Sequence, residues 1–169
     1  MARSNKRGWF HRFLLLAAAV AVLVGAVLSH RSPEAPHMTL YFFQGEAIKA
    51  VNRPLETAPE PAQVIKALLD GPSPKDFQDG YTSLIPRGVK LLSFSVDHHV
   101  ASINLSGELA SYGGGAGRVQ GMLAQIVYTA TELPKIRQVR FLVNGSAEVV
   151  LGGEGLVVDK PMSRTDFKL

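Results

Sequence analysis

Three carboxylates in the second half of the chain, Glu132, Glu154 and Asp166, are the side chains best suited to catalysis. Two carboxylates can act together as general acid and general base, and for a glycoside substrate they must lie within about 5–10 Å of each other. However, glycine-rich turns and capping explain the same residues, and no Ser-His or Gly-x-Ser-x-Gly arrangement accompanies them. We therefore predict no catalytic site, with an enzyme that uses these three carboxylates as the alternative.

Two further motifs are better explained as turns than as ligand sites. His98 and His99 are adjacent, and neighbouring residues on a strand point to opposite faces, so the pair is predicted to form a solvated turn and not a metal site. The glycine run at 113–117 precedes a helix, whose free N–H groups can hold an anion. Its spacing is one residue longer than a dinucleotide fingerprint, and seven residues separate it from the preceding strand. We predict a flexible helix entry here, with no cofactor.

The positive charge of the chain is concentrated at its N-terminus. The sequence contains 18 Lys and Arg residues, 14 Asp and Glu residues and no cysteine. Five basic residues lie within the first 31 positions, which leaves 13 basic residues against 14 acidic ones. A nucleic-acid-binding domain concentrates positive charge on its folded part, so we expect no nucleic-acid partner. Without cysteine, disulfides, thiolate metal sites and an acylated N-terminal cysteine are not expected either.

An uncharged apolar run follows the basic N-terminal residues. As a helix, residues 13–28 would span about 24 Å, slightly less than the roughly 30 Å core of a bilayer. The preceding basic residues place the N-terminus in the cytoplasm. We therefore predict a basic cytoplasmic tail at 1–12, a transmembrane signal-anchor at 13–29, a linker at 30–37 and an extracytoplasmic domain at 38–169. The alternative is a cleaved signal peptide, which would make the domain secreted.

Strand and helix patterns alternate along the rest of the chain. The clearest is a hairpin of residues 90–97 and 100–105, because apolar and polar residues alternate in both strands. Helical spacing of apolar residues predicts one helix from about 57 to 70 and a second from about 117 to 131. Further strands are predicted at 38–43, 48–53, 138–143 and 147–151, with Asn144-Gly145 as a type I′ turn between the last two. The result is an α+β fold, a largely antiparallel sheet with two helices packed on one face.

One side of the second predicted helix is polar. Val119, Met122, Leu123, Ile126, Val127 and Ala130 form its apolar stripe. The opposite side carries Gln125, Tyr128, Thr129 and Glu132. A solvated face explains these residues, but an exposed tyrosine among polar neighbours is also typical of a protein-contact surface. These four residues are the candidate partner-contact site.

Four blocks of the sequence resemble the GerMN domain family, found in the sporulation and germination protein GerM and in LpqB-type lipoproteins. They are Thr39 to Phe42, Tyr81 to Ser93, Ala124 to Glu132 with Val139 to Gly145, and Gly152 to Gly155 with Pro161 to Phe167. Together the blocks extend over nearly all of the sequence after the linker. The chain differs from GerM in two ways: it holds one copy of the domain where GerM has two, and it lacks the lipobox cysteine.

The resemblance implies a single extracytoplasmic module, without known catalysis, that binds or scaffolds proteins. We therefore expect a membrane-anchored protein of the bacterial cell envelope, linked to sporulation or spore germination. The expected partners are envelope or sporulation-channel proteins, the membrane through the N-terminal helix, and further copies of the chain. The alternative is an envelope enzyme, or a peptidoglycan- or small-ligand-binding module, that uses Glu132, Glu154 or Asp166.

Overall fold

A computed structural model describes residues 35–110, 115–152 and 155–168. The predicted tail at 1–12 and signal-anchor at 13–29 lie outside these residues, as do most of the linker and the first two glycines of the run at 113–117. Within the described ranges, no helix combines the length and apolarity needed to cross a membrane. The folded unit begins at Pro36.

The described residues form eight strands, three α-helices and two single turns of 3-10 helix. The strands are β1 (His37–Gln44), β2 (Ala47–Pro54), β3 (Tyr81–Thr82), β4 (Leu91–Asp97), β5 (Val100–Leu105), β6 (Gln138–Val143), β7 (Val149–Leu151) and β8 (Leu156–Val158). The helices are α1 (Pro61–Leu69), α2 (Pro74–Gln78) and α3 (Ala116–Glu132), and the 3-10 turns are Gly107–Leu109 and Arg164–Asp166.

The first sheet is antiparallel and has the order β2-β1-β3. Strand β1 pairs with β2 along its whole length, but with β3 only at Phe43 and Gln44. Leu40 and Phe42 alternate along β1 with less buried residues, and both are fully buried in the hydrophobic core. On the side of β1 that faces away from β2, the strand residues before Phe43 have no strand partner among the described residues.

The second sheet, ordered β4-β5-β6, is mixed and not antiparallel throughout. Strands β4 and β5 form the predicted antiparallel hairpin, whereas β5 and β6 run parallel. The parallel pairing follows from α3, which returns the chain to the start of the sheet before β6 begins. Four of the five strand pairings among the described residues are antiparallel, so the largely antiparallel character is as predicted. The prediction of one sheet is wrong, because the described strands form three sheets, and it did not include this parallel crossover.

Both predicted turns form, but one of the predicted strand pairings is wrong. His98 and His99 have φ angles of 44° and 67° and join β4 to β5. Asn144 and Gly145 have φ angles of 48° and 84°, the positive values that a type I′ turn needs. The turn closes with an antiparallel bridge between Val143 and Ser146, but the chain does not continue along β6, and the N–H of Asn144 donates to the Leu105 carbonyl on β5. Strand β7 pairs with β8 instead.

The two long helices pack against each other and against β1. Helix α1 begins at Pro61, a position where the missing N–H of proline does no harm. The short helix α2 was not predicted, and it forms because Ser73 caps it and Pro74 occupies its first position. The chain therefore has three α-helices among its described residues where the pattern predicted two, and the α+β class is confirmed.

Helix α3 approaches β1 closely at Gly121. A Cβ atom at this position would lie 2.5 Å from Leu84 Cδ1 and 3.1 Å from Phe43 Cζ. We expect Gly121→Val to lower the free energy of unfolding by about 1–2 kcal/mol through overpacking. Urea unfolding measures the change, with Gly117→Val as control because no atom lies within 4 Å of a Cβ there. Equal effects of the two substitutions would contradict the close approach.

Candidate functional site

Two of the four predicted contact residues lie inside the protein. The side chains of Gln125 and Thr129 are both 0 % exposed. Gln125 Oε1 accepts a hydrogen bond from the Leu84 N–H at 2.6 Å, and Gln125 Nε2 donates to the Tyr41 carbonyl at 3.1 Å. Thr129 Oγ1 accepts from the Tyr41 N–H at 3.0 Å. The prediction that Gln125 and Thr129 lie on an outer face is wrong, and they cannot form a partner-contact surface.

Gln125 and Thr129 on the polar side of α3 are buried because β1 is incompletely paired. Strand β3 reaches only Phe43 and Gln44, so the N–H and carbonyl of Tyr41 have no strand partner on that side. Unpaired backbone groups in the interior cost free energy. Gln125 and Thr129, one helical turn apart, supply the missing partners. Hydrophobic spacing alone does not distinguish such a buried polar side from a solvated one.

The other two predicted residues belong to a partly exposed cluster at the C-terminal end of α3. We call Tyr41, Tyr128, Glu132 and Arg164 the tyrosine–arginine cluster. Arg164 Nη2 donates to Glu132 Oε2 and, at 2.9 Å, to the Tyr128 carbonyl. Arg164 Nε donates to Thr131 Oγ1 at 2.7 Å, and the Tyr41 hydroxyl donates to Glu132 at 3.2 Å. The C-terminal segment is thereby bound to the helix end.

The arginine also stacks against both tyrosine rings. Its guanidinium carbon lies 5.3 Å from the ring centre of Tyr41 and 5.0 Å from that of Tyr128, within cation–π range. The two rings meet edge to face at 5.4 Å, and Tyr128 meets the buried Phe167 in the same way at 6.4 Å. The side chains of this cluster therefore hold one another in position through these contacts.

The cluster shifts the pKa values of two of its members. Burial raises the pKa of the Tyr41 hydroxyl; the nearby Arg164 charge opposes this and Glu132 reinforces it. Burial alone would lower the pKa of Arg164, but its contacts with Glu132 and Tyr41 outweigh burial and raise it. The arginine therefore keeps its charge at every physiological pH. Its position near the helix C-terminus favours that charge further.

Sequence patterns did not identify Arg164 or Tyr41 as members of a site. Tyr41 appears in the sequence as one aromatic residue of a strand, and Arg164 as one residue of the last resembling block. The two lie 123 positions apart, so only the fold brings them together. The closest signal would be a basic residue that lies near the C-terminal end of a helix. Because Arg164 is distant from Glu132 in the sequence, only the tertiary structure reveals that proximity.

Two of the three carboxylates considered for catalysis, Glu132 and Asp166, have structural partners in the described residues. Glu132 binds Arg164 and Tyr41. Asp166 Oδ2 accepts hydrogen bonds from the Ser163 N–H at 2.6 Å and from Ser163 Oγ at 2.8 Å, which lower the pKa of this carboxyl. Glu154 lies outside the described residues. Within the described ranges, no three His, Asp or Glu side chains are grouped so as to hold a metal ion.

An open groove of about 720 Å³ lies between the α1–α2 region and the segment that leads into β4. Its walls are formed by Leu69, Asp70, Gly71, Pro72, Phe77, Thr82, Ser83, Ile85, Arg87, Gly88, Val89 and Lys90. The Phe77 ring at its rim is 67 % exposed. Arg87 and Lys90 are exposed basic residues on the same wall, and Asp70 is the acidic residue of the lining.

The α2 wall of the groove is held by a partly buried ion pair. Asp76 Oδ2 accepts hydrogen bonds from the Ser73 N–H and from Arg53 Nη2, both at 2.8 Å. Burial alone would raise the pKa of the Asp76 carboxyl, but the hydrogen bonds from Ser73 and Arg53 outweigh it and lower the pKa. The charged form of Asp76 therefore stabilises the fold.

We expect Asp76→Asn to lower the free energy of unfolding by about 1–2 kcal/mol at neutral pH, because Arg53 loses its ionic partner. The pKa of Asp76 is lower in the folded than in the unfolded protein. The stabilisation that charged Asp76 gives the fold is therefore complete at pH values above its ordinary pKa of 3.8, and it is lost as the pH falls through the lower pKa of the folded protein. Urea unfolding between pH 7 and pH 2 should show that the wild type loses this extra stability, so that the free energies of unfolding of the wild type and Asp76→Asn converge at low pH. Asp79→Asn, at an exposed position, is the control. A pH-independent difference would contradict this role of Asp76.

Residues 39–149 match the family model Germane, described as sporulation and spore germination. This match covers well over half of the chain. The chain belongs to the Germane family. Its helix α3, with the tyrosine–arginine cluster at the C-terminal end, lies inside the matched region except for Arg164. No curated protein gives a significant match.

Solved structures show that this Germane domain has the fold of GerMN domains. A protein of Clostridium perfringens, provisionally described as a lipoprotein, is 29 % identical with a TM-score of 0.55; the match covers 77 % of this chain and 88 % of that one. The first GerMN domain of the sporulation protein GerM from Bacillus subtilis is 19 % identical with a TM-score of 0.59, over 77 % of this chain and 98 % of that domain. The tandem GerMN domains of GerM are 22 % identical with a TM-score of 0.58, over 76 % of this chain and 45 % of that one. This chain therefore spans less than half of the tandem protein and corresponds to one GerMN fold.

Proposed function

We propose that this Germane protein is a membrane-anchored, extracytoplasmic module of the bacterial cell envelope that binds or scaffolds other proteins. The family description links it to sporulation and spore germination. An anchor is supported by the uncharged run at 13–28 behind four basic residues. The similar C. perfringens protein is itself provisionally described as a lipoprotein, which supports an extracytoplasmic location beside a membrane.

The observation that carries the binding role is the tyrosine–arginine cluster. Tyrosine and arginine are enriched among the residues that contribute most to protein–protein interfaces. Here the two rings and the guanidinium are partly exposed and already fixed by mutual contacts. A surface that is ordered before binding loses less conformational entropy when a partner docks. In this proposal Tyr128 and Glu132 have the contact role predicted for them, with Tyr41 and Arg164 as additional members.

Crosslinking in living cells tests this function. The full chain is crosslinked in growing cells and, where the organism sporulates, in sporulating cells, and is then purified from membranes. We expect enrichment of one or a few specific envelope proteins. Recovery of only the chain itself and abundant envelope proteins would contradict the proposal. Sedimentation with purified peptidoglycan is the parallel measurement, and binding there without a protein partner would favour a wall-binding module.

A further inference from the structure

Asn144-Gly145 is the one place in the sequence where an asparagine is followed by a glycine. In such a pair the backbone nitrogen of the glycine can attack the asparagine carboxamide, because glycine has no side chain to shield that nitrogen. A bond forms between the Gly145 nitrogen and Asn144 Cγ, and the carboxamide nitrogen leaves as ammonia with the proton of the Gly145 N–H. Water then opens the succinimide ring to give aspartate or isoaspartate. Both residues are exposed, so water reaches the turn.

The fold restrains both reacting groups. The Gly145 N–H donates a hydrogen bond to Asn104 Oδ1 at 2.9 Å, so the attacking nitrogen must first give up this partner. The Asn144 carboxamide lies against Gly107, since a Cβ atom at Gly107 would be only 2.8 Å from Asn144 Nδ2. The Asn144 N–H is bound to the Leu105 carbonyl at 2.9 Å, which fixes the turn on β5. Ring closure therefore requires that the turn first open locally.

We propose that Asn144 is a latent deamidation site and that the Asn104 side chain protects it. Asn104 belongs to β5 and pairs with Leu142 of β6, two residues before the turn, so the sheet itself positions the acceptor for the Gly145 N–H. The net contribution of one such hydrogen bond corresponds to about a fivefold change in a local equilibrium. The closed turn therefore slows deamidation by at least about this factor.

The chemistry explains why protection matters for the fold. Aspartate at position 144 would add a negative charge to the turn, and isoaspartate would add one atom to the backbone between positions 144 and 145. The longer backbone would shift the two N–H groups that now bind Leu105 and Asn104. Protection therefore preserves the junction between β6 and β7. The inference goes beyond the proposed function and does not use the tyrosine–arginine cluster.

Two substitutions of similar size test the hydrogen bond from Gly145. Asn104→Leu removes the acceptor, whereas Asn104→Asp keeps an oxygen that can accept from the Gly145 N–H. The full-length proteins are incubated under mildly alkaline conditions, and mass spectrometry of their peptides follows the conversion of Asn144 into aspartate and isoaspartate. We expect Asn104→Leu to deamidate at Asn144 about five times faster than the wild type, and Asn104→Asp no faster than the wild type. If Asn104→Leu does not fold, Asn104→Ala removes the acceptor without adding apolar surface.

Gly121→Val distinguishes local protection from general stability. It destabilises the domain through Leu84 and Phe43, away from the turn, so its rate at Asn144 should equal that of the wild type. The wild-type chain unfolded in urea gives the unprotected rate, which we expect to exceed the folded rate at least about fivefold. Equal rates in the folded and unfolded wild type, or in Asn104→Leu and Asn104→Asp, would overturn the inference. Acceleration by Gly121→Val as large as that by Asn104→Leu would also overturn it, because the effect would then come from global unfolding.

Discussion

Replacing Gln125 with Leu is expected to lower the free energy of unfolding by about 3–5 kcal/mol. The substitution keeps the size and helical preference of the side chain. It removes the acceptor of the Leu84 N–H and the donor to the Tyr41 carbonyl, in a place where the glutamine is 0 % exposed. Each buried backbone group left without a partner costs about 1–3 kcal/mol, so two such groups make this one of the most sensitive positions in the chain.

Urea unfolding of Gln125→Leu measures the loss, and Gln120→Leu on the exposed side of the same helix is the matched control. The control should change stability by less than about 0.5 kcal/mol. If Gln125→Leu does not fold, Thr129→Val provides the milder test, because it removes only the acceptor of the Tyr41 N–H and should cost about 1–2 kcal/mol. Equal stabilities of Gln125→Leu and Gln120→Leu would show that these side chains do not support β1.

The second large effect is expected for Arg164→Met, with a loss of about 2–3 kcal/mol. Methionine retains much of the packing against the tyrosine rings but makes none of the hydrogen bonds to Glu132, Thr131 and the Tyr128 carbonyl. Charged hydrogen bonds contribute about 1.5–3 kcal/mol each. The Arg164 and Glu132 side chains are 37 % and 41 % exposed, so solvent screens the pair and the expected total stays at the lower end.

Hydrogen exchange can show which part of the domain Arg164→Met destabilises, in addition to the size of the loss in stability. Hydrogen exchange at Met162 should accelerate in Arg164→Met, because the Met162 N–H is bound to the Val139 carbonyl at 2.8 Å next to the released segment. Exposed Arg137→Met is the matched control and should leave this amide protected. A uniform loss of protection throughout the domain would contradict a local role for Arg164 in holding the C-terminal segment.

Those features of the fold that depend on local spacing could be predicted from the sequence. The β4–β5 hairpin follows from alternation, and the apolar stripe of α3 follows from helical spacing. The turn at Asn144-Gly145 follows from the backbone freedom of those two residues. Each of these signals lies within a few consecutive positions, where local physical chemistry decides the conformation.

Features that depend on distant partners could not be predicted in the same way. The burial of Gln125 follows from the short length of β3, which no property of the helix reveals. Strand β7 pairs with β8 and not with β6, although the predicted turn at Asn144 forms and its N–H donates to Leu105 on β5. Arg164 joins the site only because the C-terminal segment packs against α3. In each case a local pattern left two outcomes open, and a tertiary contact selected one.

The most direct test of the proposed binding role is site-specific photocrosslinking at the tyrosine–arginine cluster. A benzoylphenylalanine residue in place of Tyr128 in the full chain keeps an aromatic ring at that position, and the same residue in place of the exposed Lys66 on α1 is the control. Irradiation of intact cells should yield a discrete adduct between the Tyr128 position and an envelope protein, with none from the Lys66 position. The same pattern of adducts from both positions, or none from Tyr128, would contradict the assignment of this cluster as the partner-binding surface.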